Sequence, residues 1–232
     1  MVLVREYEEN INKLFNEWIE NSHFKNGEVF VKDGVINPDV FYSSNLRPLF
    51  LLKEAYGKSK DDCNIAEEHN CNTGENCIQK NKTWPNISRW TYALMNTTKE
   101  KSAEYVELDC FKYKKNEYLQ RIAVVNIKKL SGTSISISKN LKYFVKQDAE
   151  KLRSQIEIIK PTVIVCGYTL SYLKKILNLG NEYDEKFKKD HFARIKINGE
   201  NVLVLDCYHP SNWKYTSKQL FNMLVEVYQK SF

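Results

Sequence analysis

His209, Pro210 and Ser211 follow almost directly on the apolar run Val202-Leu203-Val204-Leu205. An imidazole delivered at the end of a buried strand is held by a rigid element, and the proline behind it fixes the backbone and removes a donor. In an α/β sheet, ligands are met at the carboxyl ends of the strands. A histidine there can donate to a ligand atom that gains negative charge during a reaction, which is worth most in a dry site. The plainer role is a strand-end histidine that caps its loop. Two earlier runs end in a similar way. Arg47 to Gly57 reads as an apolar strand ending in Lys53-Glu54-Ala55-Tyr56-Gly57, and Arg121 to Lys129 as another with Asn126 at its end. Parallel neighbours would bring Glu54, Asn126 and His209 to one rim. A carboxylate, an amide and an imidazole suit recognition of a base edge and activation of a water. Taken singly, Asn126 is also an ordinary turn residue and Glu54 an ordinary solvated charge.

Taken in order, Lys53-Glu54-Ala55-Tyr56-Gly57, Val124-Val125-Asn126, Val163-Ile164-Val165-Cys166-Gly167 and His209-Pro210-Ser211 resemble the motifs of the uracil-DNA glycosylase superfamily. The first is similar to the Gly-Glu-Ala-Pro-Gly of that superfamily's iron–sulfur branch, and departs from it at Lys53 and Tyr56. The agreement covers about residues 45 to 230. It implies a three-layer α/β/α fold and a DNA glycosylase that hydrolyses the N-glycosidic bond of uracil or a related base, as in base-excision repair. The enzyme is expected to be monofunctional, since no Schiff-base lysine falls at a matched position, although Lys53 lies close to one.

The resemblance also implies roles. Glu54 orients the attacking water or steadies the cationic sugar, and His209 donates to the anion developing at O2. Asn126 reads the O4/N3 edge of a base flipped out of the stack. Ser211 belongs to the same substrate site. Trp84 or Tyr56 offers a face for the flipped base, and Tyr56 screens out the thymine methyl. Trp213 wedges into the emptied stack, its plainer role being an aromatic lid. Ser131, Thr133 and Ser134 contact phosphates, with charge from Lys128, Lys129, Lys139 and Lys214; otherwise these lysines are a solvated face. Two other functions remain open: a glycosylase of this fold for another damaged or modified base, and a catalytically silent nucleic-acid-binding module.

With 232 residues, 42% of them hydrophobic, the chain can bury one substantial core. It reads as a single domain over residues 1–232, with a cysteine-containing insertion at about 58–82. Lys+Arg 35 against Asp+Glu 29 gives a net charge of +6, which permits a polyanionic partner such as DNA. No apolar run approaches the roughly 18–20 residues that span a bilayer. The acidic Glu6, Glu8 and Glu9 do not read as a signal peptide. The expectation is a soluble, cytoplasmic monomer with no membrane partner.

Cys166 and Cys207 lie in apolar runs, where cysteine is a small buried hydrophobe, and Cys110 beside Phe111 is uninformative. Cys63, His69, Cys71 and Cys77 could bind zinc. Yet they contain no Cys-x-x-Cys pair, and no cysteine precedes Cys63, whereas the iron–sulfur branch carries a pair before its first motif. The expectation is no metal and no cofactor.

The elements that must position these residues follow from periodicity. Val4 to Ser22 carries Ile11, Leu14, Phe15 and Trp18 on a helical stripe. Residues 27–44 read as irregular. Pro85 opens a helix through Met95, and Asp148 to Ile159 is helical before Pro161. A strand at Val163 is followed by a helix over Ser171–Leu177. Asn198-Gly199 between two apolar runs predicts a hairpin, and Ser217–Gln229 a last helix. Strands alternating with helices predict an α/β protein with a mostly parallel sheet covered on both faces.

Overall fold

The computed structural model describes residues 2–21, 28–56, 63–66, 82–107, 115–132 and 138–232. Helix α1 (Val2–Glu20) buries Tyr7, Ile11, Phe15 and Trp18, one face at helical spacing. The stretch expected to be irregular instead holds the short strands β1 (Val31–Lys32) and β2 (Gly34–Val35) and helix α2 (Pro38–Tyr42). Asn37 caps α2 by accepting from the Val40 amide. Then come β3 (Pro48–Tyr56), β4 (Cys63–Asn64), α3 (Thr83–Asn96), α4 (Lys115–Leu119) and β5 (Ala123–Gly132).

Helix α5 (Ser138–Ile159) begins ten residues earlier than its periodicity suggested. Leu141 and Val145 continue the buried stripe of Leu152, Ile156 and Ile159, but the intervening Tyr143 and Phe144 obscure it in sequence. After β6 (Val163–Gly167) come α6 (Leu170–Leu177) and an unanticipated α7 (Asp184–Asp190). Strands β7 (Phe192–Ile197) and β8 (Glu200–Cys207) form the expected hairpin. Asn198 and Gly199 turn it with φ of 49° and 84°, the two positive values a tight hairpin turn requires. Helix α8 (Ser217–Lys230) starts at a reciprocal cap between Thr216 and Gln219.

The main sheet has the order β2-β5-β3-β6-β8-β7. Its four central strands are parallel, and the edge strands β2 and β7 run antiparallel to their neighbours. Leu49 and Leu51 point into one apolar cluster with residues of α1, α5 and α6, such as Phe15, Leu152 and Leu173. Phe50 and Leu52 point into a second cluster with residues of α3 and α8, such as Trp90 and Leu224. Helices thus cover both faces of a mixed, mostly parallel sheet, an α/β/α arrangement. Burial on both faces is why the central strands read as unbroken apolar runs. No helix among the described residues is long and apolar enough to cross a membrane.

This topology creates a crevice. Adjacent strands β3 and β6 are followed by helices on opposite faces: α3 packs with Phe50 and Leu52, α6 with Leu49 and Leu51. The gap beyond the carboxyl ends of such a strand pair is where open α/β sheets take their ligands.

Candidate active site

His209 sits two residues beyond β8, half-buried. Its Nδ1 accepts the Ser211 backbone N–H at 3.2 Å and lies 2.8 Å from Ser211 Oγ. A ring nitrogen that accepts a backbone N–H carries no proton, so the neutral ring bears its proton on Nε2. Burial and the Lys53 ammonium push the imidazole down from 6.5 to about 4. His209 is therefore a neutral donor at physiological pH.

The loop that carries it is braced from behind. Asn86 on α3, itself buried, donates from Nδ2 to the Pro210 carbonyl at 2.6 Å. Buried Arg89 donates to Asn86 Oδ1 at 3.2 Å and to the Val106 carbonyl at 3.0 Å. Gly167, at the end of β6, has no space for a side chain. A Cβ there would lie 2.9 Å from Leu52 Cδ2 and 3.3 Å from Pro210 Cδ. Sequence reasoning did not anticipate Asn86 and Arg89, because a polar pair inside a helix carries no local signal.

Glu54 lies near the end of β3, opposite Lys128 in the β3–β5 ladder. The Lys128 ammonium donates to Glu54 Oε2 at 2.9 Å, with side chains only 15% and 7% exposed. Glu54 is thus a shielded carboxylate with a fixed cationic neighbour, and not a solvated charge.

Asn126 does not end its strand, as the sequence suggested. It is the fourth residue of β5, opposite Leu52, and is buried. Its backbone N–H donates to Asp33 Oδ2 at 2.7 Å, and its side-chain Nδ2 donates to the same oxygen at 3.2 Å. Lys129 Nζ and Gln155 Nε2 donate to Asp33 Oδ1 at 2.5 and 2.8 Å. An ionised carboxylate only accepts, so the Asn126 amide is locked with its NH2 toward Asp33. Asp33, between β1 and β2, is a positioning group the sequence hid, since aspartate before glycine reads as a turn. Lys129, expected to add charge near phosphates, is instead buried against Asp33, and burial holds its ammonium below the usual lysine range.

Lys53 and Tyr168 close the crevice between β3 and β6. The Lys53 ammonium lies 4.9 Å from the Tyr168 ring centroid, and burial lowers its pKa. Thr169 Oγ1 donates to the Leu51 carbonyl at 2.8 Å and ties the start of α6 to the middle of β3. Trp84 is half-buried against the α3/α8 cluster. Trp213 is 83% exposed, with Lys214 Nζ 5.8 Å from its ring. Tyr56 pairs through its backbone with Gly132 beyond a bulge that follows Glu54, and Ser131 precedes that glycine in β5. Thr133, Ser134, His69, Cys71 and Cys77 lie outside the described residues, and Cys63 pairs through its backbone with Val31.

A cavity of about 550 Å³ beside this rim is lined by Tyr168, Tyr208, Cys207 and Trp90, among others. A larger one, about 860 Å³, lies between α6 and α7. Neither lining includes Glu54, Asn126 or His209, so the chemistry of the strand ends, and not a cavity, marks the site. The fold defines an α/β/α protein with a shielded carboxylate near the end of β3, a locked amide inside β5 and a neutral imidazole just beyond β8. No protein-family model matches the chain, and no curated protein matches it.

Proposed function

We propose that this chain is a monofunctional DNA glycosylase with a uracil-DNA glycosylase-like fold, acting as a monomer on uracil or a related base in DNA. The observation that carries the reading is the neutral His209 with its proton on Nε2, braced through Pro210 at the end of a central parallel strand. The motif resemblance supplies the identity of the bond. In the proposed step, the bond between C1′ of the sugar and N1 of the base breaks, and its electron pair leaves with the base. Charge grows on O2, where the Nε2–H of His209 donates to it; a neutral donor suits a leaving anion without having to give up its proton. The sugar becomes cationic at C1′, and a water oriented by the Glu54 carboxylate adds there, giving up one proton to that carboxylate, which passes it to solvent; the departed base anion takes a proton from solvent. Asn126, its amide held in one orientation by Asp33, meets the O4/N3 edge of a base that has left the duplex.

The test is release of free base from oligonucleotides bearing uracil and a panel of modified bases. Uracil release that falls about 10²–10³-fold in His209→Ala, the range for one lost oxyanion donor, supports the reading. A chain that binds the oligonucleotides and releases no base is a binding module instead. Release of a different base alone keeps the reaction and changes the substrate.

A further inference from the structure

Tyr168 has a backbone conformation that its residue type resists. Its φ is +60°, a value uncommon for any residue with a Cβ and an outlier for a bulky one. Its N–H is held by the carbonyls of Cys207 at 2.8 Å and Cys166 at 3.0 Å. Yet the side chain is 64% exposed, so core packing does not account for a tyrosine where glycine or asparagine would sit with less strain. Strained residues of this kind gather at ligand sites.

The surroundings indicate the ligand. Lys53 places its ammonium against the ring. Tyr208, 41% exposed, lines the same cavity of about 550 Å³. Tyr215 lies beside it, with ring centroids 4.9 Å apart and hydroxyls 3.4 Å apart. Lys214 adjoins Tyr215 in sequence and is exposed. In the lining of that cavity, Lys230 is paired with Glu226 at 2.6 Å, and Lys189 stands next to Asp190. The cavity lining thus sets Asp190, Asp206 and Glu226 against Lys189 and Lys230, and the cations beside the tyrosines are Lys53, whose neighbour Glu54 is already paired with Lys128, and the exposed Lys214.

We propose that Tyr168, Tyr208 and Tyr215, with Lys53 and Lys214, form a stacking platform for unpaired bases of a single-stranded DNA segment beside the His209 loop. Exposed aromatic faces interleaved with ammonium groups recognise unstacked bases of any sequence and the backbone that joins them. In a duplex those base faces are covered by their neighbours. The choice of DNA as the polymer rests on the glycosylase reading; the platform itself does not require the reaction.

The experiment uses the full chain and a fluorescein-labelled, uracil-free oligothymidylate of about 15 nucleotides, long enough to cross such a groove, measured by anisotropy against its duplex. The single strand should bind more tightly than the duplex. Tyr168→Ala and Tyr208→Ala should each weaken single-strand binding about 5- to 150-fold, the range for one stacked base. Tyr168→Gly separates stacking from structure, because glycine adopts a φ of +60° freely. Its Tm should hold or rise while affinity falls. Wild-type affinity in Tyr168→Gly, or a duplex bound as tightly as the single strand, overturns the platform. Excision of uracil from single strands with unchanged KM in Tyr168→Gly overturns it as well and leaves the glycosylase standing. Tight single-strand binding that depends on the tyrosines, with no base released, upholds the platform and removes the glycosylase.

Discussion

Asn126 and Asp33 meet twice at one oxygen: the backbone N–H of Asn126 donates to Asp33 Oδ2 at 2.7 Å and its side-chain NH2 at 3.2 Å. One carboxylate therefore fixes both the strand and the amide it carries. The charge that makes this possible is balanced by the buried ammonium of Lys129.

Removing Asp33 should be severe. Asp33→Ala leaves the buried Lys129 ammonium without its carboxylate and the donors of Asn126 without Oδ2, while Gln155 keeps the residue-33 carbonyl; loss of one member of a buried pair costs about 3–5 kcal/mol. Adding Lys129→Met should recover much of that stability in urea unfolding. The double variant should still discriminate poorly between uracil and cytosine, because the amide is free to turn and the two bases present opposite donor–acceptor patterns. Full discrimination in the double variant would show that Asp33 serves stability alone.

His209 should make stability depend on pH. Its pKa is about 4 in the folded protein, depressed from 6.5 by burial and by Lys53. Between these values the unfolded chain binds the extra proton and the folded one does not. Stability therefore rises with pH across about 4 to 6.5, by less than ~1.4 kcal/mol per pH unit, and this contribution is flat above. The urea midpoint of His209→Gln should show a shallower slope in that window. Base release by the wild type should show no His209 titration near 6.5; a limb there would mean that the imidazole is ordinarily solvated.

Glu54 and Lys128 should behave as a coupled pair. With side chains 7% and 15% exposed, Lys128→Ala leaves a shielded carboxylate without its cation. The loss should approach the lower end for a buried pair, about 3 kcal/mol. Glu54→Gln should be milder in stability and stronger in turnover, lowering kcat more than it changes DNA affinity, which phosphate contacts dominate. Thermal melts and single-turnover kinetics on the two variants give the comparison, and wild-type turnover in Glu54→Gln would remove the residue from the reaction.

Gly167→Ala should act on His209 from behind. The added methyl meets Leu52 Cδ2 at 2.9 Å and Pro210 Cδ at 3.3 Å. Overpacking of this kind costs about 1–3 kcal/mol. Because Pro210 is one of the two groups that must move, base release should fall further than a loss of stability alone explains. A variant with lowered Tm and unchanged turnover per folded molecule would show that Leu52 absorbs the whole displacement.

Local pattern determined the central strands and the long amphipathic helices, though not β1, β2, α2, α7 or the start of α5. The apolar runs around Leu49–Leu52, Val124–Val125, Val163–Cys166 and Val202–Leu205 read as buried strands, and all four are the parallel core of the sheet. The stripe of α1, the Asn198-Gly199 turn and the start of α8 were legible for the same reason, since each depends on residues within a turn or two of one another. The tertiary structure decided what those elements bring together. Asn126 lies inside its strand because the length of β5 is set by what pairs with it, from Leu49 opposite Ala123 to Tyr56 opposite Gly132, and not by where its apolar run stops. Asp33 reaches Asn126 across 93 positions and Lys128 reaches Glu54 across 74, contacts that exist only once register and strand order are fixed. The switch point between β3 and β6, and with it the exposed ring of Tyr168, arises because β5, the next strand of the main sheet, is laid on one side of β3 and β6 on the other. Local sequence carries no trace of that choice, because it is made by the faces on which the connecting helices bury their apolar stripes.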